Sequence, residues 1–160
     1  MEKATNKIKD LSAARTIVRR WKQDGKKVVF TNGCFDILHL GHVDYLEKAR
    51  ALGDVLIVGL NTDASVSRFR GPDRPLQDQT SRARIMASLQ FVDMVVFFDE
   101  DTPLNLISEL LPGVLVKGGD YLAENIVGAD VVKNAGGTVR TIDFVPGYST
   151  TRIIEKIKKT

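Results

Sequence analysis

The segment Asn32-Gly33-Cys34-Phe35-Asp36-Ile37-Leu38-His39-Leu40-Gly41-His42 gathers the residue types best able to do chemistry. It follows the apolar run Val28-Val29-Phe30 and leads into a stretch of helical periodicity, so it reads as a strand–loop–helix junction. Gly33 lets the backbone turn and approach a ligand closely, and the N-terminus of the next helix offers amides and partial positive charge to phosphate oxygens. His39 and His42 stand three apart, on one side of a first helical turn. Gly41 between them leaves room for a base or ribose against the backbone. Two imidazoles beside a helix N-terminus suit a reaction in which charge builds on phosphorus. Cys34 is the only cysteine and there is no third histidine, so the pair lacks the ligands of a zinc site. No metal held by protein side chains is expected. The bland alternative, two packing residues at a helix start, is weakened by the Gly-x-Phe-Asp just ahead.

These residues need a scaffold, and the rest of the chain supplies its pattern. Apolar runs at 28–30, 55–58, 94–97, 114–116 and 139–142 read as five strands. Helical stretches fall at 41–51, 80–89, 103–111, 128–135 and 149–158, with a leading amphipathic helix behind Ser12 that ends at Gly25. Continuously apolar strands alternating with helices imply a parallel sheet covered on both faces. Right-handed crossovers then give an α/β fold, a doubly wound five-stranded Rossmann-like sandwich with its ligand site at the carboxyl ends of the strands. The segment 68–79, rich in Arg, Gly, Pro and Asp, is expected to be an irregular mobile flap over that site. One domain is expected over 1–160: a leading helix at 1–25, an α/β core at 26–148 and a C-terminal helix at 149–160.

Composition narrows the setting. The chain is 43% hydrophobic and 27% charged, as a globular protein is, and its formal charge of +3 lacks the concentrated basic face of a nucleic-acid binder. A single cysteine suits a reducing compartment. No apolar run approaches the roughly 18 residues a membrane span needs, and no signal-peptide core follows Met1, so the cytoplasm is the expected location.

GCFDILHLGH resembles the GxFDxxHxGH signature of the cytidylyltransferase-like nucleotidyltransferases. It is also similar to the HIGH block of class I aminoacyl-tRNA synthetases, which are far longer and carry a second signature loop. Together TNGCFDILHLGH, VGLNTDASV, VKGGDY and GYSTTRII resemble one branch, the bacterial D-glycero-β-D-manno-heptose 1-phosphate adenylyltransferases that make ADP-heptose; the likeness covers about 26–158. Where cytidylyltransferases have RTEGIST, this chain has Phe144-Val145-Pro146-Gly147 ahead of Tyr148-Ser149-Thr150, which leans away from a cytidylyl donor.

The resemblance implies transfer of AMP from ATP to a sugar 1-phosphate, with Mg²⁺ accompanying ATP and pyrophosphate leaving. It implies catalytic roles for His39, His42, Lys117 and Arg82. Nucleotide contacts would come from Asn32, Gly33, Cys34, Phe35, Gly41, His42 and Asn61, from Lys117, Gly118 and Asp120, and from Tyr148, Ser149, Thr150 and Thr151. Asp36, Asp63, Arg74 and Arg82 are candidates for sugar-phosphate or triphosphate contacts, whereas Arg68, Arg70 and Arg84 read as solvated charges. Asp36 also suits a structural role, holding the loop backbone or orienting a histidine. In many bacteria the activity is fused to a sugar kinase; here a separate heptose kinase is expected. Nucleic acid and membrane are not expected partners, and a homodimer through the leading or C-terminal helix is left open. Rival readings are a sister enzyme acting on glycerol phosphate, phosphopantetheine, FMN or nicotinamide mononucleotide, and a non-catalytic nucleotide-binding module. The intact His39–His42 pair argues against the latter.

Overall fold

A computed structural model describes residues 1–119 and 121–160. Six strands form one fully parallel sheet: β1 (Ile8–Lys9), β2 (Val28–Gly33), β3 (Val55–Asn61), β4 (Met94–Phe98), β5 (Val114–Gly118) and β6 (Thr138–Ile142), in the order β1-β4-β3-β2-β5-β6. The helices are α1 (Leu11–Gln23), α2 (Leu40–Arg50), α3 (Asp63–Arg70), α4 (Gln79–Ser88), α5 (Leu104–Leu110), α6 (Ala129–Asn134) and α7 (Thr150–Lys158). The α/β class follows from residues that alternate across each strand. Val28 and Phe30 point to the face covered by Ala14 and Val18 of α1 and by Ile107 of α5, while Val29 points to the face covered by Leu46 of α2 and Met86 of α4. All seven residues of β3 are buried, as befits a strand with neighbours on both edges and helices on both faces.

The sheet has six strands where the apolar runs predicted five. The extra strand, β1, is two residues long and pairs with β4 in the register Ile8↔Val95; so short an element has no run to detect. Asp10, not Ser12, caps α1, its carboxylate accepting from the Ala13 amide at 2.7 Å. The irregular segment is also shorter than expected, because Thr62 caps α3, whose residues run to Arg70. Among the described residues no helix is long and apolar enough to cross a membrane.

What matters for the site is the strand order. From β2 the chain moves to β3 and β4 on one side, then returns to lay β5 and β6 on the other. The crevice between β2 and β5, at their carboxyl ends, is where an open α/β sheet binds ligands.

Candidate active site

A cavity of about 410 Å³ opens at that crevice. Asn32 and Gly33, the last residues of β2, line it together with Cys34 and Phe35. A side chain at Gly33 would put a Cβ 2.8 Å from the Phe35 ring, so glycine lets the phenyl fold back over the strand end. Phe35 itself holds a left-handed backbone at φ 47°, and such local strain in a bulky residue is found mostly at functional turns.

The turn delivers the two histidines. His39 occupies the N-cap of α2 in extended backbone but makes no side-chain cap bond, which leaves its imidazole for other work. His39 and His42 stack with ring centroids 3.8 Å apart and planes 25° from parallel, and the Phe35 ring meets His42 edge-on at 5.2 Å. The Nδ1 atoms of both imidazoles are buried without a hydrogen-bond partner. Burial lowers the His39 imidazole; burial and then the neighbouring His39 bring His42 down to about 4. Near neutral pH the pair is uncharged, so the rings tolerate their contact and each retains one N–H to donate. Gly41 is required where it stands, because a Cβ there would meet His39 at 2.9 Å and Tyr148 at 3.4 Å.

Beneath this loop lies a layer that supports the cavity wall. The buried Asp36 carboxylate accepts from the amides of Leu76 and Gln77 and from Arg74 Nε at 3.0 Å, while Gln77 Nε2 donates to the Asp36 carbonyl. Burial works to raise its carboxyl, yet those amides and the Arg74 guanidinium hold it below the ordinary value. Asp36 therefore clamps the loop at 71–78, and no histidine contacts its carboxylate. The expected flap is latched to the β2–α2 loop through this contact.

Arg82, expected at the phosphates, is completely buried and does not line the cavity. Its guanidinium donates to the carbonyls of Gln77 (3.0 Å), Cys34 (2.8 Å) and Asn61 (2.8 Å) and to the Asp63 carboxylate (2.7 Å). It ties three loops together from below. Asn61 likewise stands back from the cavity: its Oδ1 accepts from Cys34 Sγ at 3.8 Å and its Nδ2 donates to Ser65. Asp63 belongs to the same support. The expected phosphate contact of Arg82 and nucleotide contact of Asn61 do not fit this arrangement, because their polar atoms are turned toward neighbouring segments; Asp63, an expected phosphate or sugar-phosphate contact, does not line the cavity and gives one carboxylate oxygen to Arg82.

The opposite wall comes from β5 and α7. Lys117 and Gly118 line the cavity; burial lowers the Lys117 ammonium, with Cys34 working the other way. Burial also raises the Cys34 thiol, offset by Arg70 and Arg82, which suits a packed residue rather than a thiolate. Ser149 caps α7, accepting from the Arg152 amide at 3.1 Å, and Thr150 Oγ1 donates to the Ile37 carbonyl at 3.3 Å. Tyr148, Ser149, Thr150 and Thr151 all line the cavity, as does Arg74. Asp120 lies outside the described residues. Four further residues, not among the expected contacts, also line it: Tyr45, Arg70, Tyr121 and Phe144. Arg70 reads in the sequence as a solvated charge, although its position inside the expected flap segment 68–79 is a usable signal. Tyr45 follows His42 by three and so shares its helical face; its hydroxyl pairs with the buried Thr31 hydroxyl at 2.6 Å, and burial pushes it up to about 12. Among the described residues no three His, Cys, Asp or Glu side chains gather as a metal site.

A cytidylyltransferase-like family model matches residues 30–156. The bifunctional protein HldE of Geotalea uraniireducens is 60% identical over 152 residues, covering 95% of this chain and 31% of that protein. The HldE of Geobacter sulfurreducens is 58% identical over 96% of this chain and 31% of its own length. The chain thus spans about a third of the length of these curated relatives. The crystal structure of a lipopolysaccharide core biosynthesis protein from Thermoplasma volcanium aligns with a TM-score of 0.60 at 31% identity, covering 76% of this chain and 98% of that one. Pantoate-beta-alanine ligase from Francisella tularensis, at 17% identity and a TM-score of 0.60 over 96% of this chain and 78% of its own, shares the fold. With the matched model spanning well over half of its residues and the motif histidines paired at the switch point of the sheet, the chain belongs to the cytidylyltransferase-like family.

Proposed function

We propose that this chain transfers AMP from ATP to D-glycero-β-D-manno-heptose 1-phosphate, giving ADP-heptose and pyrophosphate. The observation that carries the reading is the stacked, uncharged His39–His42 pair, its buried Nδ1 atoms unpartnered, at the N-terminus of α2 in the switch-point cavity. Identity near 60% to proteins called HldE supports the choice of acceptor.

In this reading a sugar-phosphate oxygen attacks the α-phosphorus in line. The new P–O bond forms as the bond to the bridging oxygen of pyrophosphate breaks, and no covalent enzyme intermediate is needed. Two anions must meet, so the protein contributes position and charge complementarity. His39 and His42 donate to the triphosphate, the amides opening α2 and α7 receive phosphate oxygens, and Lys117, Arg70 and Arg74 balance the remaining charge. Among the described residues the cavity offers one carboxylate, Asp36, and it is committed to the flap. Mg²⁺ accompanying ATP would supply charge neutralisation at the phosphates.

The test is pyrophosphate release from protein, Mg²⁺ and the heptose 1-phosphate with ATP, CTP, GTP or UTP in turn. Release with ATP alone, reduced about a hundredfold or more in His42→Ala, is the expected result. Silence with all four nucleotides would reject the heptose acceptor, and the same assay would then pass to the sister phosphates.

A further inference from the structure

All three tyrosines of the chain line the same cavity, and Phe144 joins them. Phe144 is the odd member of this set. It is 63% exposed, yet its ring is seated against backbone: a Cβ at Gly118 would come within 2.5 Å of it and a Cβ at Gly119 within 2.9 Å. Consecutive glycines at the end of β5 thus form a flat bed that any side chain would spoil. The phenyl packs against that bed, and with 63% of the residue exposed it leaves apolar ring surface inside the cavity. Tyr148, half exposed, flanks the same space from the mouth of α7. An exposed aromatic plate beside a phosphate-binding helix start is suited to one class of ligand, a flat base stacked on the ring.

We infer that Phe144 is a specificity-determining residue that stacks on the donor base and favours a purine over a pyrimidine. The inference rests on the nucleotide-transfer reading above and adds the donor determinant to it. Its physical basis is overlap: a two-ring base covers more of a phenyl face than a one-ring base, while the phosphates are gripped identically for both. The glycine bed is part of the device, because it fixes the height and tilt of the plate.

The experiment is calorimetric binding of MgATP, MgCTP and inorganic tripolyphosphate to the whole chain and to Phe144→Leu, Phe144→Tyr and Gly118→Ala, each checked for an unchanged melting profile. Phe144→Leu is expected to weaken MgATP about tenfold, within the range for loss of one base–aromatic stack. MgCTP should weaken by a smaller factor and tripolyphosphate not at all. Phe144→Tyr should restore MgATP affinity, and Gly118→Ala, by pushing the ring off its bed, should mimic the leucine variant. Equal losses for all three ligands, or undiminished MgATP binding in Phe144→Leu, would overturn the role of Phe144 while leaving the transferase reading standing. If the unaltered chain binds neither nucleotide, both fall. The acceptor assay is independent of these outcomes, since binding is read without heptose.

Discussion

His42 is an imidazole held near 4 in the free protein by burial and by its stacked neighbour. A triphosphate reverses that balance, because an anion against an imidazole favours the charged form. If the rings face phosphate, the His42 midpoint should rise by about one unit or more when MgATP binds, a shift readable from its ring resonance by NMR. Binding at pH 5.5 should then draw in protons, seen as heats that depend on buffer ionisation, and His42→Asn should cut the uptake to the His39 share. A midpoint that does not move would place the phosphates elsewhere. Spacing in the sequence found this pair because a three-residue repeat on a helix start fixes which side chains share a face. The same reasoning erred at Arg82, since residue type does not reveal that three loops converge on one guanidinium and bury it. Phe144 shows in the sequence only as part of a departure from the cytidylyltransferase block, for a related cause: what seats its ring is the glycine bed brought up beside it by β5, about 25 residues earlier in the chain.

Elements were legible in proportion to their apolar content. Strands β2 to β5 are built on continuous apolar runs and are legible to within a few residues; β6 has only Val139 and Ile142 as apolar members, and β1 is too short to show a run. Helix α3 has only Ala64, Val66 and Phe69 as apolar members, so its real signal was the cap, with Thr62 accepting from the Ser65 amide. Helix α7 was read correctly from its periodicity but differs from the rest in having no buried residue. Little apolar burial and a few end contacts mark a segment of low local stability. Its N-terminus nevertheless lines the cavity, so a ligand bound there should steady the whole helix. Hydrogen exchange is expected to show α7 amides exchanging well ahead of those in β2 and β3 in the free protein, with MgATP slowing the α7 amides the more strongly. Ser149→Ala, which removes the cap, should speed α7 exchange further and cost about 1 kcal/mol of stability. Equal protection of α7 with and without nucleotide would mean that its N-terminus takes no part in phosphate binding.

The whole molecule carries the consequence of burying titratable groups at the switch point of a sheet whose two faces are otherwise apolar. Between the ordinary histidine value of 6.5 and about 4, the unfolded chain holds a proton on His42 that the folded chain refuses. Stability must therefore fall as pH drops through that window, and His39, lowered by burial, acts in the same direction. Allowing for solvent screening of a partly exposed ring, the His42 share is about 2 kcal/mol, a sizeable part of the roughly 5–15 kcal/mol that holds a domain folded. Asp36 acts lower on the scale. Its carboxyl is held below the ordinary 3.8, so its contribution is intact above that value and is lost only as pH falls further and the flap clamp is protonated. Acid loss of stability should accordingly come in two stages, followed by the guanidinium midpoint from pH 7.5 down to 3. His42→Asn should flatten the slope between 6.5 and 4 and leave the steeper fall below 4; Asp36→Asn should lower stability above the ordinary carboxyl value of 3.8 and remove much of that second fall. A single-stage profile unchanged by His42→Asn would mean that the imidazole pair is solvated, and with it would go the argument that the site keeps two uncharged rings ready for an arriving anion.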